Sequence, residues 1–218
     1  MARSISLPDK KDYGYELAYK LACEQLAQIA DIEQQCLNSG ASCEVIDSRK
    51  VITLEYLHQS YQITLPDIGV SLKDKGEEVR IREKILILHY FTQAKGTKLS
   101  NKIITYKELP SATNYVRTFT QRAIKPLVDN FGKEPDRLLD VAKALGGRKA
   151  DYGDVAVTIN AFSRVPIILV LWRGDAEFPP NGNILFDSTI SDYLTLDDIN
   201  VLCETMAWRL ARLKGKSK

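Results

Sequence analysis

The chain has 218 residues, 44% hydrophobic and 27% charged, the ordinary make-up of a folded globular protein with one good-sized core. Its 30 basic and 28 acidic side chains leave a net charge of +2 and are interleaved along the chain, which argues against a nucleic-acid binder. No stretch approaches the ~20 apolar residues of a membrane span, and the first residues lack the apolar segment of a secretion signal. A cytoplasmic protein is expected, with Cys23, Cys36, Cys43 and Cys203 as free thiols.

In chain order, residues 1–11 are polar and expected to be flexible. A helix is predicted from Asp12 to Cys36, with Leu17, Leu21, Ile29 and Ile32 as its apolar positions and Asn38-Ser39-Gly40 as its stop. Short strands follow. Glu44–Asp47 leads through a turn at Ser48-Arg49-Lys50 to Val51–Leu57, where Ile52, Leu54 and Tyr56 share a face. The chain turns at His58-Gln59-Ser60 and returns with Tyr61, Ile63 and Leu65, an antiparallel meander that Pro66 ends.

Glu77–Ala94 has a helical stripe of Ile81, Ile85 and Leu88, and Ile103–Tyr106 is extended. Tyr115–Asp129 is a helix in which Pro126 should kink or shorten the last turns. Pro135 can open another helix to Leu145, before Gly146-Gly147. Asp154–Ile159 alternates as a strand, and Pro166–Trp172 is continuously apolar, as in a central strand covered on both faces. A long loop, 173–183, precedes the strand Ile184–Asp187. Thr195 caps a closing helix, Leu196–Leu213, with Asp198 in the capping-box position. The basic run Arg209, Arg212, Lys214, Lys216 and Lys218 reads as a solvated helix end, flexible from Lys214 onward. The fold class is α+β: a mostly antiparallel sheet packed by helices, in one domain over residues 1–218, with no repeated βαβ rhythm.

The segments Gly153-Asp-Val-Ala-Val-Thr-Ile-Asn-Ala-Phe, Leu171-Trp-Arg-Gly-Asp-Ala-Glu-Phe-Pro-Pro, Ile184-Leu-Phe-Asp, Glu83-Lys-Ile-Leu-Ile-Leu-His-Tyr and Tyr106-Lys-Glu-Leu-Pro resemble a prokaryotic domain of unknown function, over roughly Ala18–Leu210. The resemblance implies an association with anaerobic bacteria and archaea, and a role near redox or tetrapyrrole cofactor metabolism. Some members of that family carry a cysteine-rich iron–sulfur module. This sequence has no such cluster, so that function is not carried over.

The residues themselves point first to the loop after the apolar strand. Trp172 and Phe178 offer rings, Arg173 a guanidinium, and Asp175 and Glu177 carboxylates. Asp187 joins them if it approaches along the hairpin. Such a set can hold a polar ligand against an aromatic wall, and it can equally be a salt-bridge network that pins a long loop. As hard oxygen donors the three carboxylates lack any metal-loop spacing. His89, beside an apolar stripe, is a core-edge histidine, or else a cofactor ligand or general base. Arg117, with Arg122 and Lys125, can accept an anionic ligand or pair with nearby carboxylates. Cys36 and Cys43 bracket a turn and can meet.

The expected function is a ligand- or cofactor-binding accessory domain with Trp172, Arg173, Asp175, Glu177, Phe178, Asp187, Arg117 and His89 as contacts. The identity of the cofactor is open. The alternatives are an enzyme that divides acid and base roles between two carboxylates, and a protein-interaction module.

Overall fold

A computed structural model describes residues 10–73 and 78–216. The single helix expected over 12–36 is two: α1 (Lys10–Ala27) and α2 (Ile32–Ser39). Asp31 adopts extended backbone and its carboxylate accepts the Gln34 N–H at 2.8 Å, so a new helix is capped where the first would have continued. The buried side of α1 also differs from the expected stripe. Leu17 and Leu21 are each 49% exposed, while Ala22 and Leu26 are buried and Tyr19, Cys23 and Ile29 pack beside them.

Strands β1 (Ser42–Ile46), β2 (Arg49–Tyr56), β3 (Gln59–Leu65) and β4 (Gly69–Leu72) form the meander. Ile52, Leu54 and Tyr56 point inward as their alternation requires. Two details depart from expectation. Arg49 and Lys50 belong to the ladder rather than the turn, opposite Ile46 and Val45. Pro66 ends β3 but not the meander, which gains β4, a strand with one buried residue, Val70, and so no readable alternation.

Helix α3 (Ile81–Gln93) buries Ile85, Leu86, Ile87, Leu88, Tyr90 and Phe91. The expected start at Glu77 lies outside the described residues. After β5 (Ile103–Thr105) comes a helical run built of α4 (Val116–Phe119), a π-helical turn (Thr120–Ile124) and α5 (Lys125–Phe131). Pro126 has no N–H to give Arg122, and its ring would crowd that carbonyl. The wider turn just before it, closed by the Lys125 N–H to the Thr120 carbonyl, absorbs the misfit.

Helix α6 (Asp136–Ala142) follows Pro135 as predicted. The strand β6 (Arg148–Ala150) after Gly146-Gly147 is additional. Then come β7 (Val155–Phe162), β8 (Val165–Trp172), β9 (Asn181–Asp187) and α7 (Leu196–Lys216). The expected capping box is present: Asp198 accepts the Thr195 hydroxyl at 2.6 Å, and the Asp198 N–H donates to the Thr195 hydroxyl oxygen at 3.2 Å. The basic tail is helical to Lys216, and Lys214 donates to the Asn130 carbonyl at 2.6 Å.

All strand pairs are antiparallel, in the order β4-β3-β2-β7-β8-β9-β5, with β1 on β2 and β6 on β7. The strand β8 is central, as its apolar run predicts. Ile167, Leu169 and Leu171 enter the main core, and Ile168 and Val170 join Ala156 in a second, smaller cluster built from strand residues. Strands β2 and β7 meet only at Tyr56 and Phe162, beside a bond from the Leu57 N–H to the Ala161 carbonyl, so the sheet forks there. The run from α4 to α5 lies along β9. The Phe119 ring is 6.3 Å from that of Phe186, and Val128 touches Gly182.

Candidate functional site

Trp172 pairs with Asn181 at the end of the β8–β9 ladder, and residues 173–180 leave the sheet between them. Asp175 organises this loop. Its carboxylate accepts the Glu177 and Phe178 N–H groups, each at 2.8 Å, while its own N–H donates to the Phe178 carbonyl at 2.9 Å. The Phe178 N–H, and then that of Glu177, hold the Asp175 carboxyl below its ordinary range. Arg173 is tied twice: its N–H donates to Asp154 at 2.7 Å and its guanidinium to Asp136 at 2.6 Å. The hydrogen bond it donates to Asp136 raises its already high pKa. A Cβ on Gly132 would lie 3.0 Å from Pro180, so the end of α5 needs glycine to reach the loop.

Between this loop and the turn from Gly132 to Pro135 lies an open concavity of about 470 Å³. Lys133 and Glu177 line it, with Arg173, Phe178 and Pro180. Lys133 and Glu177 are exposed, and neither side chain has an ion pair or hydrogen bond among the described residues. Phe178 is 67% exposed and Trp172 39%, and Tyr152, also 39% exposed, adjoins Gly153, which packs on the Trp172 ring. Lys133 and Tyr152 are not among the contacts expected from the sequence. Both sit in short polar turns of ordinary composition, and only tertiary contact brings those turns to the end of β8.

Trp172, Arg173, Asp175, Glu177 and Phe178 are therefore together, while the other expected contacts are elsewhere. Asp187 is at the opposite end of β9, six residues from Asn181 and so about 20 Å along the strand. Its approach to Arg173 or to the loop carboxylates is corrected by that register. It is 4% exposed and closes another loop. It accepts from the Asn101 N–H at 2.7 Å, the Ser100 hydroxyl at 2.8 Å and the Thr189 hydroxyl at 2.7 Å. Burial pushes its pKa up, but the bonds from Thr189 and Ser100 together outweigh that and hold it at about 2.

Arg117 is exposed on α4, at the end of the helical run away from Gly132. Its companions are paired: Arg122 with Glu204 at 2.6 Å and Lys125 with Asp129 at 2.6 Å. His89 binds Asp198 through Nδ1 at 2.8 Å and thereby joins α3 to the start of α7.

A second concavity, of about 490 Å³, lies at the fork of the sheet beside His58, Arg148 and Asn160. Among the described residues no group of three His, Cys, Asp or Glu can hold a metal ion, and no helix is long and apolar enough to cross a membrane.

No curated protein and no solved structure matches the chain. A family profile does, over residues 31–209, from the cap of α2 to the last turns of α7. The chain thus belongs to the family described as domain of unknown function DUF3786.

Proposed function

We propose that the chain is an accessory domain that binds a small organic ligand in the concavity beside the β8–β9 loop. The observation that carries this reading is a cation and an anion without partners among the described residues, Lys133 and Glu177, lining one concavity with an exposed ring, Phe178. Arg173 and Asp175 are spent on holding the loop in shape. The ligand that fits is a zwitterion with a planar apolar part: its anionic group goes to Lys133, its cationic group to Glu177, and its flat face to the aromatic side chain.

A tetrapyrrole or other redox cofactor is the reading the family likeness suggests. The concavity offers no His, Cys, Met or Tyr as an axial ligand, so its lining does not favour haem ligation. The carboxylate-enzyme reading loses Asp187, which lies at the far end of β9 from Asp175 and Glu177, and the Asp175 carboxyl is occupied by the Glu177 and Phe178 N–H groups, so the reading has less support. A protein partner remains the second reading, favoured by Trp172, Tyr152 and Phe178, aromatic anchors of the kind that dominate interfaces.

The test is titration with free aromatic amino acids, followed by ligand-observed NMR and by quenching of Trp172 fluorescence in a Trp208→Phe background. Saturable binding that falls at least tenfold in Glu177→Gln and in Lys133→Ala, with folding unchanged, is the expected result. Binding as strong in both variants as in the parent protein sinks the assignment. So does the absence of saturable binding for any zwitterion tried, which passes the surface to the protein-partner reading.

A further inference from the structure

Cys36 and Cys43 lie outside the proposed ligand site and are brought together by the chain reversal between α2 and β1. Gly40 makes the reversal possible with a φ of +70°, in the left-handed region that other residues seldom enter. The Ala41 N–H then donates to the Cys36 carbonyl at 2.9 Å and fixes the turn. Cys36 is 4% exposed on the buried side of α2. Cys43 stands opposite Ile52, on the same face of the sheet, and packs against the same core while remaining partly accessible. The Cys43 thiol is near enough to that of Cys36 to act on it electrostatically.

A cation completes the group. Lys50 is two residues from Ile52, so it shares the face of Cys43. Its ammonium binds Glu33 of α2 at 2.6 Å, one helical turn before Cys36. Burial, and then the neighbouring Cys43, push the Cys36 thiol up to about 12. Cys36 is therefore suited to the second step of an exchange and not the first, because the thiolate is the nucleophile. The two remaining cysteines are placed differently: Cys203 is wholly buried on α7, and Cys23 is on α1 beside Tyr19.

We infer that Cys36 and Cys43 are a reversible dithiol–disulfide site that takes small-molecule disulfides as its oxidant. Cys43, the accessible thiol, attacks one sulfur of the oxidant as its thiolate. The oxidant's S–S bond breaks, and the first small thiol leaves with the proton that Cys43 gave up. Cys36 then attacks the Cys43 sulfur of the mixed disulfide, and the second small thiol leaves with the Cys36 proton. In balance, two protein thiols and one small disulfide give one protein disulfide and two small thiols, and two electrons pass to the oxidant. The new bond ties the end of α2 to β1. Helix α2 in turn braces α3: the Gln35 amide donates to the Ala94 carbonyl at 3.0 Å, and the Tyr90 hydroxyl to the Ser39 carbonyl.

The experiment incubates the full chain with oxidised glutathione and cleaves it after glutamate. Cuts at Glu33 and Glu44 release residues 34–44, which contain Cys36 and Cys43 without Cys23. The expected product is that peptide lighter by two hydrogens, restored by dithiothreitol. Cys36→Ser should stop at the mixed disulfide on Cys43, and Cys43→Ser, at the less buried position, should leave Cys36 as a thiol. Three results overturn the inference: both thiols still alkylated after oxidation, a wild-type mixed disulfide that Cys36 never resolves, or a disulfide that uses Cys23. Should Cys36→Ser fail to fold, the wild-type mass shift and Cys43→Ser decide the matter.

Discussion

At the scale of single residues, the least expected role belongs to Asp187. It was expected to bind ligand, and it instead gathers the N–H and hydroxyl groups of Ser100, Asn101 and Thr189 around one carboxylate. Those donors are satisfied only while it is ionised. Its folded pKa of about 2 is below the ordinary carboxylate value, so it contributes stability above pH ~4, and that contribution is lost as pH falls through 2. The shift corresponds to roughly 2 kcal/mol. Asp187→Asn should lose about that much at pH 7, since an amide turns a donor toward donors, and should flatten the acid limb of stability against pH. Urea unfolding at pH 7 and pH 2.5 checks this. An unchanged acid limb would mean that other carboxylates govern acid unfolding.

Asp198 shows how one side chain serves two elements. It caps α7 through Thr195 and holds His89 of α3 by its other oxygen. The cap was readable because its two residues are three apart in sequence. The partnership with His89 was not, because 109 residues separate the pair and only the packing of α3 on α7 brings them together.

At the scale of elements, the sequence was most legible where one physical pattern ruled a whole segment. Strict alternation at Ile52, Leu54 and Tyr56 can bury one face only by forming a strand, and the uninterrupted run before Trp172 can be covered on both faces only inside a sheet. Legibility failed where a local cap competed with a continuing pattern. Asp31 splits the first helix because its carboxylate satisfies an N–H that the longer helix would have bonded by backbone alone. It failed also for β4 and β6, which are too short to carry a period. The loop residues Trp172, Arg173, Asp175, Glu177 and Phe178 were legible as a group because they are consecutive or nearly so. Lys133 and Tyr152 reach them only through the fold.

The same elements carry a prediction about the turn after α2. A side chain at Gly40 would meet Ser163 at 3.0 Å and hold an unfavourable φ. Gly40→Ala should therefore cost about 1–2 kcal/mol. Gly14, on the exposed side of α1 with open space where a Cβ would stand, is the control. Gly14→Ala should be neutral or stabilising by up to ~1 kcal/mol. In thermal denaturation Gly40→Ala should melt below the parent and Gly14→Ala at or above it, and equal midpoints for the two variants would refute the account of the turn.

At the scale of the whole molecule, the forked sheet raises the question of how many cooperative units the chain contains. The meander β1–β4 joins the remaining strands through little backbone: Tyr56 opposite Phe162, and the Leu57 N–H to the Ala161 carbonyl. By hydrogen bonds alone it should come away early. Side chains argue the opposite. The Phe162 ring is 4.9 Å from Tyr56 on one side and 3.9 Å from Tyr90 of α3 on the other. Arg209 of α7 lies over the Tyr56 ring at 5.2 Å and bonds Glu83 of α3 at 2.7 Å. The main cluster runs without a break from Ile52 and Ile63 to Ile167 and Phe186. Apolar burial outweighs a few ladder bonds, each worth only about 1 kcal/mol net. The chain should therefore unfold in one transition. Both tryptophans, Trp172 and Trp208, lie outside the meander, so fluorescence follows the second part while far-UV circular dichroism follows both. Coincident urea curves are expected. Phe162→Ala, which empties the joint, should lower stability by ~3–5 kcal/mol and bring the dichroism transition ahead of the fluorescence transition. Separate curves in the parent protein would show that the meander is its own cooperative unit and that the fork is a true boundary.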